Sequence, residues 1–554
     1  MKKRSSLLWA FRRIGNRIPA IALLTCANIG SSLLGVAFAL GTRNIIDTAV
    51  AGYSEAFSRA CLIQGAIILG ILLCITVSRH LRERLTADLD RDWKKHLLNL
   101  LLHGDYPAVS KYHSGELLNR MNNDVRTLDD GLLTLIPGLA SIVTKLIGAF
   151  IALYALEPWF AAVLLLGGLA VILITTVIRR RLKGLHKRVS EEEGKVSGFL
   201  QEALEKLLMV QAMDVASEIE KKADIMLQSR FNAQRKRKNV TLFANSCISI
   251  MSYAASFIAL VWCAFELLQG RMSFGSLTAV TQLVSQLQGP LVNLSGIIPQ
   301  YIATTASAER LMELESLEQE SGPMEESADA LYARMDAICG IGLHFSYDRD
   351  RILENASFSL PKGAFAVITG PSGIGKSTLL KLLLGIFRPE QGGLYLRCAD
   401  QQIPLDRSTR RLFAYVPQGN LLLSGTLREN LVLSKPDATE TEILQATYVS
   451  GMDEFLPQLP RGLETVIGEN GAGLSEGQSQ RLAIARAVLS GAPILLLDEC
   501  TSALDAHTEA LVLERIHRLP DRTCIAVTHR NAAIELSDWN LQMDGHNIHA
   551  EKLK

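Results

Sequence analysis

Residues 370–378 read Gly-Pro-Ser-Gly-Ile-Gly-Lys-Ser-Thr and have the composition of a phosphate-binding loop. An apolar run at 365–368 precedes them and a leucine-rich run follows, which predicts a strand, a tight turn and a helix. The glycines let backbone N–H groups and the helix N-terminus converge on phosphate oxygens. Lys376 would supply a positive charge to the β- and γ-phosphates, and the Ser377 hydroxyl would bind Mg²⁺.

Two carboxylates end a second apolar run, at 494–499, whose continuous hydrophobicity is typical of a buried parallel strand. Asp498 would hold Mg²⁺ through water, and Glu499 would polarise the attacking water. A glycine-containing helix start at 473–478 predicts a second anion site. A glycine-rich turn of purely structural origin would not require these additional patterns, so nucleotide hydrolysis is favoured.

In this order and spacing the motifs resemble the nucleotide-binding domain of ABC transporters, from the A-loop aromatic Tyr347 to the switch histidine His529. The resemblance implies ATP and Mg²⁺ as cofactors and catalytic roles for Glu499, His529, Gln418 and Lys376. It implies Mg²⁺ ligation by Ser377, Gln418 and Asp498. Nucleotide contacts are implied for Tyr347, Gly370, Pro371, Ser372, Gly373, Ile374, Gly375, Lys376, Ser377, Thr378, Leu474, Ser475, Glu476, Gly477, Gln478 and Asp505.

Three of these positions have alternative interpretations. His529 could be a strand-end histidine with a structural partner, and Tyr347 could pack on a sheet instead of stacking on adenine. Glu476 stands where the family most often has glycine, although glutamate is also common there.

The composition of the 554 residues excludes several function classes. A net charge of +1 gives no electrostatic case for binding nucleic acid. A hydrophobic fraction of 48% is too high for a disordered chain. The nine cysteines form no CxxC pair, so neither a zinc site nor a disulfide framework is indicated. Those inside apolar runs, such as Cys26, Cys61 and Cys263, are expected to be small buried residues.

Apolar segments long enough to span a bilayer precede the ATPase motifs. Six are predicted, at 18–41, 58–78, 134–156, 159–178, 243–268 and 275–298. A soluble protein with a buried helical core is the alternative, but six runs with few internal charges do not suit a water-facing surface. Basic residues cluster after the second and fourth spans, which predicts a cell-membrane protein with both termini and the ATPase domain in the cytoplasm.

The predicted fold class is an all-α six-helix transmembrane domain followed by an α/β P-loop ATPase domain. The expected boundaries are an amphipathic elbow helix at 1–16, the transmembrane domain at 17–313, a linker at 314–336 and the nucleotide-binding domain at 337–554. Long cytosolic helical extensions bring 106–114 and 211–218 to the positions of the coupling helices of ABC exporters. The runs at 115–120 and 270–275, together with Asp124 and Arg310, also resemble that family.

One signature and one P-loop per chain imply that two chains pair head to tail, each completing the other's ATP site. A homodimer is favoured and a heterodimer remains open. The expected function is ATP-driven export or lipid flipping by alternating access. An importer on the exporter fold, as in some siderophore systems, is an alternative. Non-transporting relatives are disfavoured: the apolar spans argue against a soluble ATPase and Glu499 argues against an ATP-gated channel.

Lys145 is a charged residue near the middle of the third predicted span. It belongs to a stripe of small and polar residues at helical spacing: Thr134, Gly138, Ser141, Lys145, Gly148 and Ala152. A mid-membrane charge costs about 2.5–3.5 kcal/mol on insertion scales unless it is hydrated or paired. Lys145 and Ser141 are therefore expected to line a cavity for anionic substrates, unless Lys145 snorkels or binds backbone carbonyls.

Overall fold

The structure, a computed structural model, describes residues 2–554 apart from 321, 323–325, 348–349, 400, 420–421 and 469–470. Within the helices, the side chains of 2–5, 163–183, 186, 248, 288–296 and 298 lie outside the described residues. Two compact units are present. One comprises Met1–Leu100 and His113–Ser316, and the other comprises Leu101–Tyr112 and Leu317–Lys554.

The described residues of the first unit form helices and the short turns that connect them. The helices up to residue 315 are α1 (Lys2–Arg13), α2 (Ile18–Val50), α3 (Ser54–Leu102), α4 (Tyr106–Val109, in the second unit), α5 (Ser114–Asn119), α6 (Val125–Leu156), α7 (Pro158–Glu205), α8 (Leu207–Ala212), α9 (Ala216–Leu268) and α10 (Phe274–Glu315). Gly15–Arg17 forms a 3₁₀ turn and Arg120–Asp124 a π-helical turn.

Four helical stretches among the described residues are long and apolar enough to cross a membrane. They are Gly15–Val50, Ser54–Leu102, Ser114–Leu156 and Ala216–Leu268. No more than 22% of the apolar window of any of them is buried inside the chain, so lipid or another chain must cover the rest. The spans expected at 159–178 and 275–298 lie in α7 and α10, partly on side chains outside the described residues, and the count of six stays a prediction.

Helices α2, α6 and α10 pack closely because small residues lie where they cross. The Ser32 and Ser141 hydroxyls join α2 to α6 at 2.8 Å, and a Cβ at Gly148 would lie 3.3 Å from Val36. The start of α10 is bound to the end of α2, since Asp47 accepts hydrogen bonds from the Ser273 hydroxyl at 2.9 Å and from the Gly275 N–H at 2.9 Å. Small residues and interhelical hydrogen bonds are the usual basis of helix association in membranes.

Two ion pairs join the π-helical turn to the end of α10. Asp124, which is buried, accepts hydrogen bonds from Arg310 Nε at 2.7 Å and from the Ser307 hydroxyl at 2.9 Å. Arg120 donates to Glu313 at 3.0 Å and to the Arg310 carbonyl at 3.0 Å. The stretches around Asp124 and Arg310, which both resemble the ABC exporter family in sequence, therefore contact each other in the structure.

Replacement of Asp124 by Asn should destabilise the protein by about 1–2 kcal/mol, because the Arg310 guanidinium loses its ionic partner. The loss stays modest because the Arg310 side chain is 45% exposed and is partly solvated. Thermal unfolding in detergent measures the effect. Asp130→Asn is the matched control, since that carboxylate lies nearby on α6 and is 60% exposed. Equal melting temperatures for Asp124→Asn and the control would contradict the assignment.

The second unit is an α/β domain built on a six-stranded sheet of order β12-β11-β3-β10-β9-β6, which is parallel except at β12. The strands of the chain are β1 (Ala337–Tyr347), β2 (Asp350–Pro361), β3 (Phe365–Thr369), β4 (Gln391–Cys398), β5 (Gln401–Pro404), β6 (Phe413–Val416), β7 (Gly425–Thr426), β8 (Val466–Ile467), β9 (Ile494–Asp498), β10 (Thr523–Val527), β11 (Trp539–Asp544) and β12 (Asn547–Lys552). The helices are α11 (Ala328–Ala333), α12 (Lys376–Leu383), α13 (Leu427–Leu431), α14 (Glu440–Val449), α15 (Glu476–Leu489), α16 (Ala506–His517) and α17 (Asn531–Leu536).

Successive strand residues enter two different cores, one on each face of this sheet. Leu495 and Leu497 belong to one buried cluster, and Ile494 and Leu496 belong to the other. All five residues of β9 are buried, as a strand covered on both faces requires. A smaller antiparallel sheet, β2-β1-β4-β5, packs over α12 through the second cluster. The predicted fold class, a helical domain followed by an α/β ATPase domain, is confirmed.

The structure differs from the sequence expectations at the linker and at two cysteines. The expected linker at 314–336 contains α11, whose Leu331 and Tyr332 are buried in the core of the α/β domain, so the compact unit begins before residue 337. The expectation that the cysteines of the apolar runs are buried is wrong for Cys26 and Cys61, which are exposed, and holds for Cys263. A position in an apolar run does not decide which side of a helix faces the chain's own core.

Candidate active site

The phosphate-binding loop follows β3 and leads into α12, as the sequence predicted. Gly370 has a φ of +146° and Gly375 a φ of +107°, a region that disfavours any side chain. A Cβ at Gly370 would lie 2.6 Å from the Met543 carbonyl oxygen, and one at Gly375 would overlap the Ile352 side chain. The loop therefore requires glycine at both positions. Between them, Pro371, Ser372 and Gly373 are exposed and Ile374 packs against the core.

Lys376 is the first residue of α12 and its side chain is buried. Its ammonium group donates to the carbonyl oxygens of Gly370 at 2.9 Å and Pro371 at 3.0 Å. Burial lowers the pKa of Lys376, while the charges of Glu499 and Asp498 act in the opposite direction. The positive charge is thus held at the loop and within the field of both carboxylates.

Asp498 lies at the end of β9 and is 1% exposed. One of its oxygens accepts from the Ser377 hydroxyl at 2.9 Å and the other from the Tyr415 hydroxyl at 3.0 Å. Burial raises the pKa of Asp498, and the two hydrogen bonds oppose that shift. Burial and the neighbouring Asp498 charge raise the pKa of Tyr415, so its hydroxyl keeps the proton that it donates.

The oxygen atoms of Ser377 and Asp498 fit Mg²⁺, which prefers hard oxygen ligands and usually also binds oxygens of substrate phosphates. Ser377 and Asp498 supply a hydroxyl and a carboxylate oxygen. Among the described residues, no group of three or more His, Cys, Asp or Glu side chains could hold a metal by itself.

Glu499 follows Asp498 and lies between two polar side chains from neighbouring strands. The Gln418 amide donates to one of its oxygens at 2.8 Å, and His529 Nε2 lies 3.9 Å from the other. Its φ is +48°, an uncommon value for a residue with a side chain, and its N–H bonds the Val527 carbonyl at 3.1 Å. The structure thus brings together Gln418, Glu499 and His529, which are far apart in sequence.

Tyr347 ends β1 and is 37% exposed. Its ring makes edge contacts with Phe345 at 5.0 Å and Phe387 at 5.4 Å, and its hydroxyl accepts from Thr378 at 3.4 Å. The residue both packs on the sheet and retains exposed surface beside the phosphate-binding loop, so the two sequence interpretations are compatible.

The signature residues form the start of α15. Ser475 caps the helix, and Gln478 completes a capping box with it. Leu474 packs against the domain core and Glu476 is exposed. A Cβ at Gly477 would lie 3.0 Å from the Ala503 carbonyl oxygen, which is tight against the segment after Glu499.

Segment 501–505, which follows the carboxylates, is held by two side chains from other elements, Gln480 and Arg530. Gln480 of α15 donates to the Ser502 hydroxyl at 3.1 Å and accepts from the Ala503 N–H at 3.1 Å. Arg530 donates to the Leu504 carbonyl at 3.0 Å and to the Glu509 carboxylate at 2.9 Å. Asp505 at the end of the segment caps α16 by accepting from the His507 and Thr508 N–H groups.

Sequence reasoning assigned no role to Tyr415, Glu509 or Arg530. Glu509 is buried, accepts also from the Thr501 hydroxyl at 2.7 Å, and lies one helical turn after Asp505. The sequence signal for a role of Arg530 was its position directly after His529. Tyr415 lies in a strand among apolar neighbours, where its type alone suggests packing.

Lys145 and Ser141 lie on α6, outside this site. Ser141 is engaged with Ser32 of α2, and Lys145 is half-buried one turn further along. Leu139, Val143 and Phe150, which lie off the small-residue stripe, are exposed. The stripe thus packs against α2 at Ser141 and Gly148, and its role in substrate binding stays a proposal.

Both halves of the chain match the sequence models of known protein families. The sequence model of the ABC transporter transmembrane region matches residues 21–291, and that of the ABC transporter family matches residues 353–502. A probable multidrug resistance ABC transporter ATP-binding/permease protein of Bacillus subtilis, YheI, is 30% identical over 463 residues, which cover 81% of this chain and 77% of YheI.

Two further comparisons agree with these matches. The cyclolysin secretion/processing ATP-binding protein CyaB of Bordetella pertussis is 30% identical over 379 residues, which cover 68% of this chain and 52% of CyaB. The solved structure of a bacterial Atm1-family ABC exporter with ATP bound has the same fold, with a TM-score of 0.80, 23% identity and coverage of 98% of this chain and 95% of that one. The chain belongs to the ABC transporter family, as an exporter-type half-transporter that joins a transmembrane region and an ATP-hydrolysing domain in one polypeptide.

Proposed function

We propose that this chain forms one half of a homodimeric exporter that hydrolyses ATP at two composite sites. The observation that carries the proposal is the arrangement of Glu499 between Gln418 and His529, beside Lys376 and Asp498. A carboxylate held in this way can orient water, while a buried ammonium stabilises charge on the transferred phosphoryl group. The exposed apolar helices of the same chain supply the membrane-spanning part.

Each side chain has a distinct task in the proposed reaction. Lys376 and the N–H groups of the loop would bind the β- and γ-phosphates, and Tyr347 would stack on adenine. Ser377, Asp498 and Gln418 would hold Mg²⁺, which neutralises phosphate charge when bound. Glu499 would orient the attacking water, and His529 would donate a hydrogen bond to the γ-phosphate.

We place Ser475 and Gly477 of one chain, with Asp505, at the ATP held by the other chain. Each chain carries one phosphate-binding loop and one capped signature helix, so a dimer has two sites of mixed origin. ATP binding would close the dimer and turn the membrane helices outward, and hydrolysis would reopen it. Both termini and the ATPase domain would lie in the cytoplasm.

Glu499→Gln should leave ATP binding intact and reduce turnover by about 10²–10⁴-fold, because the amide cannot act as a base. Lys376→Ala should instead weaken ATP binding, because it removes the charge at the loop. Fluorescent-nucleotide affinity and steady-state ATPase activity separate the two effects. Glu514→Gln, a surface change on α16, should alter neither quantity. Normal turnover in Glu499→Gln would refute the assignment.

The composite sites can be tested with heterodimers isolated after two chains with different affinity tags are mixed, a step that removes every homodimer. Heterodimers of Lys376→Ala with Ser475→Arg carry both lesions in one site and should recover ATPase activity through the other. The matched control pairs wild type with a chain that carries both substitutions, which damages each site once and should be inactive. Equal activity in the two arrangements, or normal hydrolysis by a detergent-solubilised monomer, would contradict the dimer.

Lys145→Ala should weaken the stimulation of ATPase activity by anionic substrates more than by neutral ones, if Lys145 and Ser141 border the transport cavity. Lys145→Arg keeps the charge and should retain the preference. The measurement uses proteoliposomes, with ATP on a known side, so that the same assay gives the direction of transport and separates export from import. An unchanged substrate profile in Lys145→Ala would rule out the cavity role.

A further inference from the structure

Tyr415 is a polar residue at the active site with no role in the reaction outlined above. It lies on β6, paired with Leu496 of the neighbouring parallel strand β9. Two residues beyond Leu496, β9 ends at Asp498. The strand register therefore brings the Tyr415 hydroxyl to the Asp498 carboxylate, where it donates a hydrogen bond of 3.0 Å.

The two oxygens of Asp498 have different partners. Oδ1 accepts from the Ser377 hydroxyl at 2.9 Å, and Oδ2 accepts from Tyr415. A carboxylate rotates about a single bond, so one hydrogen bond alone leaves its plane free. Since Asp498 is almost fully buried, hydrogen bonds from the protein set its orientation.

We propose that Tyr415 is a positioning residue for the metal. Its hydroxyl holds Oδ2 of Asp498, so that Oδ1 stays turned toward Ser377, a second proposed ligand of the metal. The inference rests on the proposed assignment of Ser377 and Asp498 to the Mg²⁺ site. Groups that hydrogen-bond a metal-ligating side chain orient it, and their removal weakens metal binding.

A purely structural role for Tyr415 is the competing explanation. Its ring is half-buried against the domain core, and it borders an open cavity of about 660 Å³ whose wall includes Leu433 and Arg486. Phenylalanine would keep the ring and its packing and would remove only the hydroxyl. Tyr415→Phe therefore separates the hydrogen bond from the packing.

The test measures binding of a non-hydrolysable ATP analogue to the full-length protein, with Mg²⁺ and with EDTA. In Tyr415→Phe, affinity for the Mg²⁺ complex should fall by about tenfold while metal-free affinity is unchanged. The Mg²⁺ concentration for half-maximal ATPase activity should rise in parallel. Tyr332→Phe is the matched control, because it removes another buried hydroxyl, bonded to Thr523 at 2.9 Å, far from the metal ligands in sequence.

Three results would overturn the inference. They are unchanged Mg²⁺-complex affinity in Tyr415→Phe, an equal loss with and without metal, and the same loss in Tyr332→Phe. Ser377→Ala tests the underlying assignment separately, because it removes a direct ligand. If Ser377→Ala also leaves the Mg²⁺ dependence intact, the metal site itself is misplaced, whereas an effect in Ser377→Ala alone rejects only the role of Tyr415.

Discussion

The hydrogen bond from Ser377 to Asp498 exists because two parallel strands of one sheet end at the same edge. Ser377 follows β3 and Asp498 ends β9, with β10 between them. In a parallel sheet every strand delivers its carboxyl-terminal residues to the same edge, which is where α/β proteins bind their ligands. The phosphate-binding loop, the proposed metal ligands and Glu499 all depend on this alignment. A single shift in strand register would move Asp498 to the opposite face.

The same edge explains how distant residues come to act on one carboxylate. Gln418 follows β6, Glu499 follows β9 and His529 follows β10. Glu499 adopts its unfavourable backbone angle because its N–H is fixed to the Val527 carbonyl of the neighbouring strand. Strain of this kind persists only where the surrounding structure holds it. The backbone angle directs the Glu499 side chain into the space between Gln418 and His529.

A second group of contacts connects the site to segment 501–505. In the proposed dimer, each chain would present this segment to the other chain. Arg530, next to His529, bonds the Leu504 carbonyl and Glu509, while Gln480 of the signature helix bonds Ser502 and Ala503. Arg530, segment 501–505 and helix α15 are therefore linked by side chains of one chain. In the proposed dimer, these contacts would lie between the groups around one ATP and the groups that this chain offers to the other ATP.

The sequence alone was enough to identify the family, the order of the domains and the main motifs. Glycine, lysine and carboxylates at these spacings have few other uses, and long apolar runs with few charges have few soluble structures available to them. The local sequence was also sufficient to predict β3, the glycine loop and α12. An apolar strand and a turn that needs glycine can each be recognised from a few consecutive residues. The sequence also predicted that helices continue beyond the apolar runs, and α3 does so, as far as Leu102.

Only the tertiary structure decided which side chains meet. Tyr415 looks like a packing residue until strand pairing brings its hydroxyl to Asp498, and nothing local relates Glu509 to Arg530 or Asp124 to Arg310. The stripe around Lys145 had the right spacing for a helix face, but its packing against α2 depends on where another helix lies. Spacing along a chain specifies which residues share a face, whereas the partner of that face is set by long-range packing, which leaves no local signal.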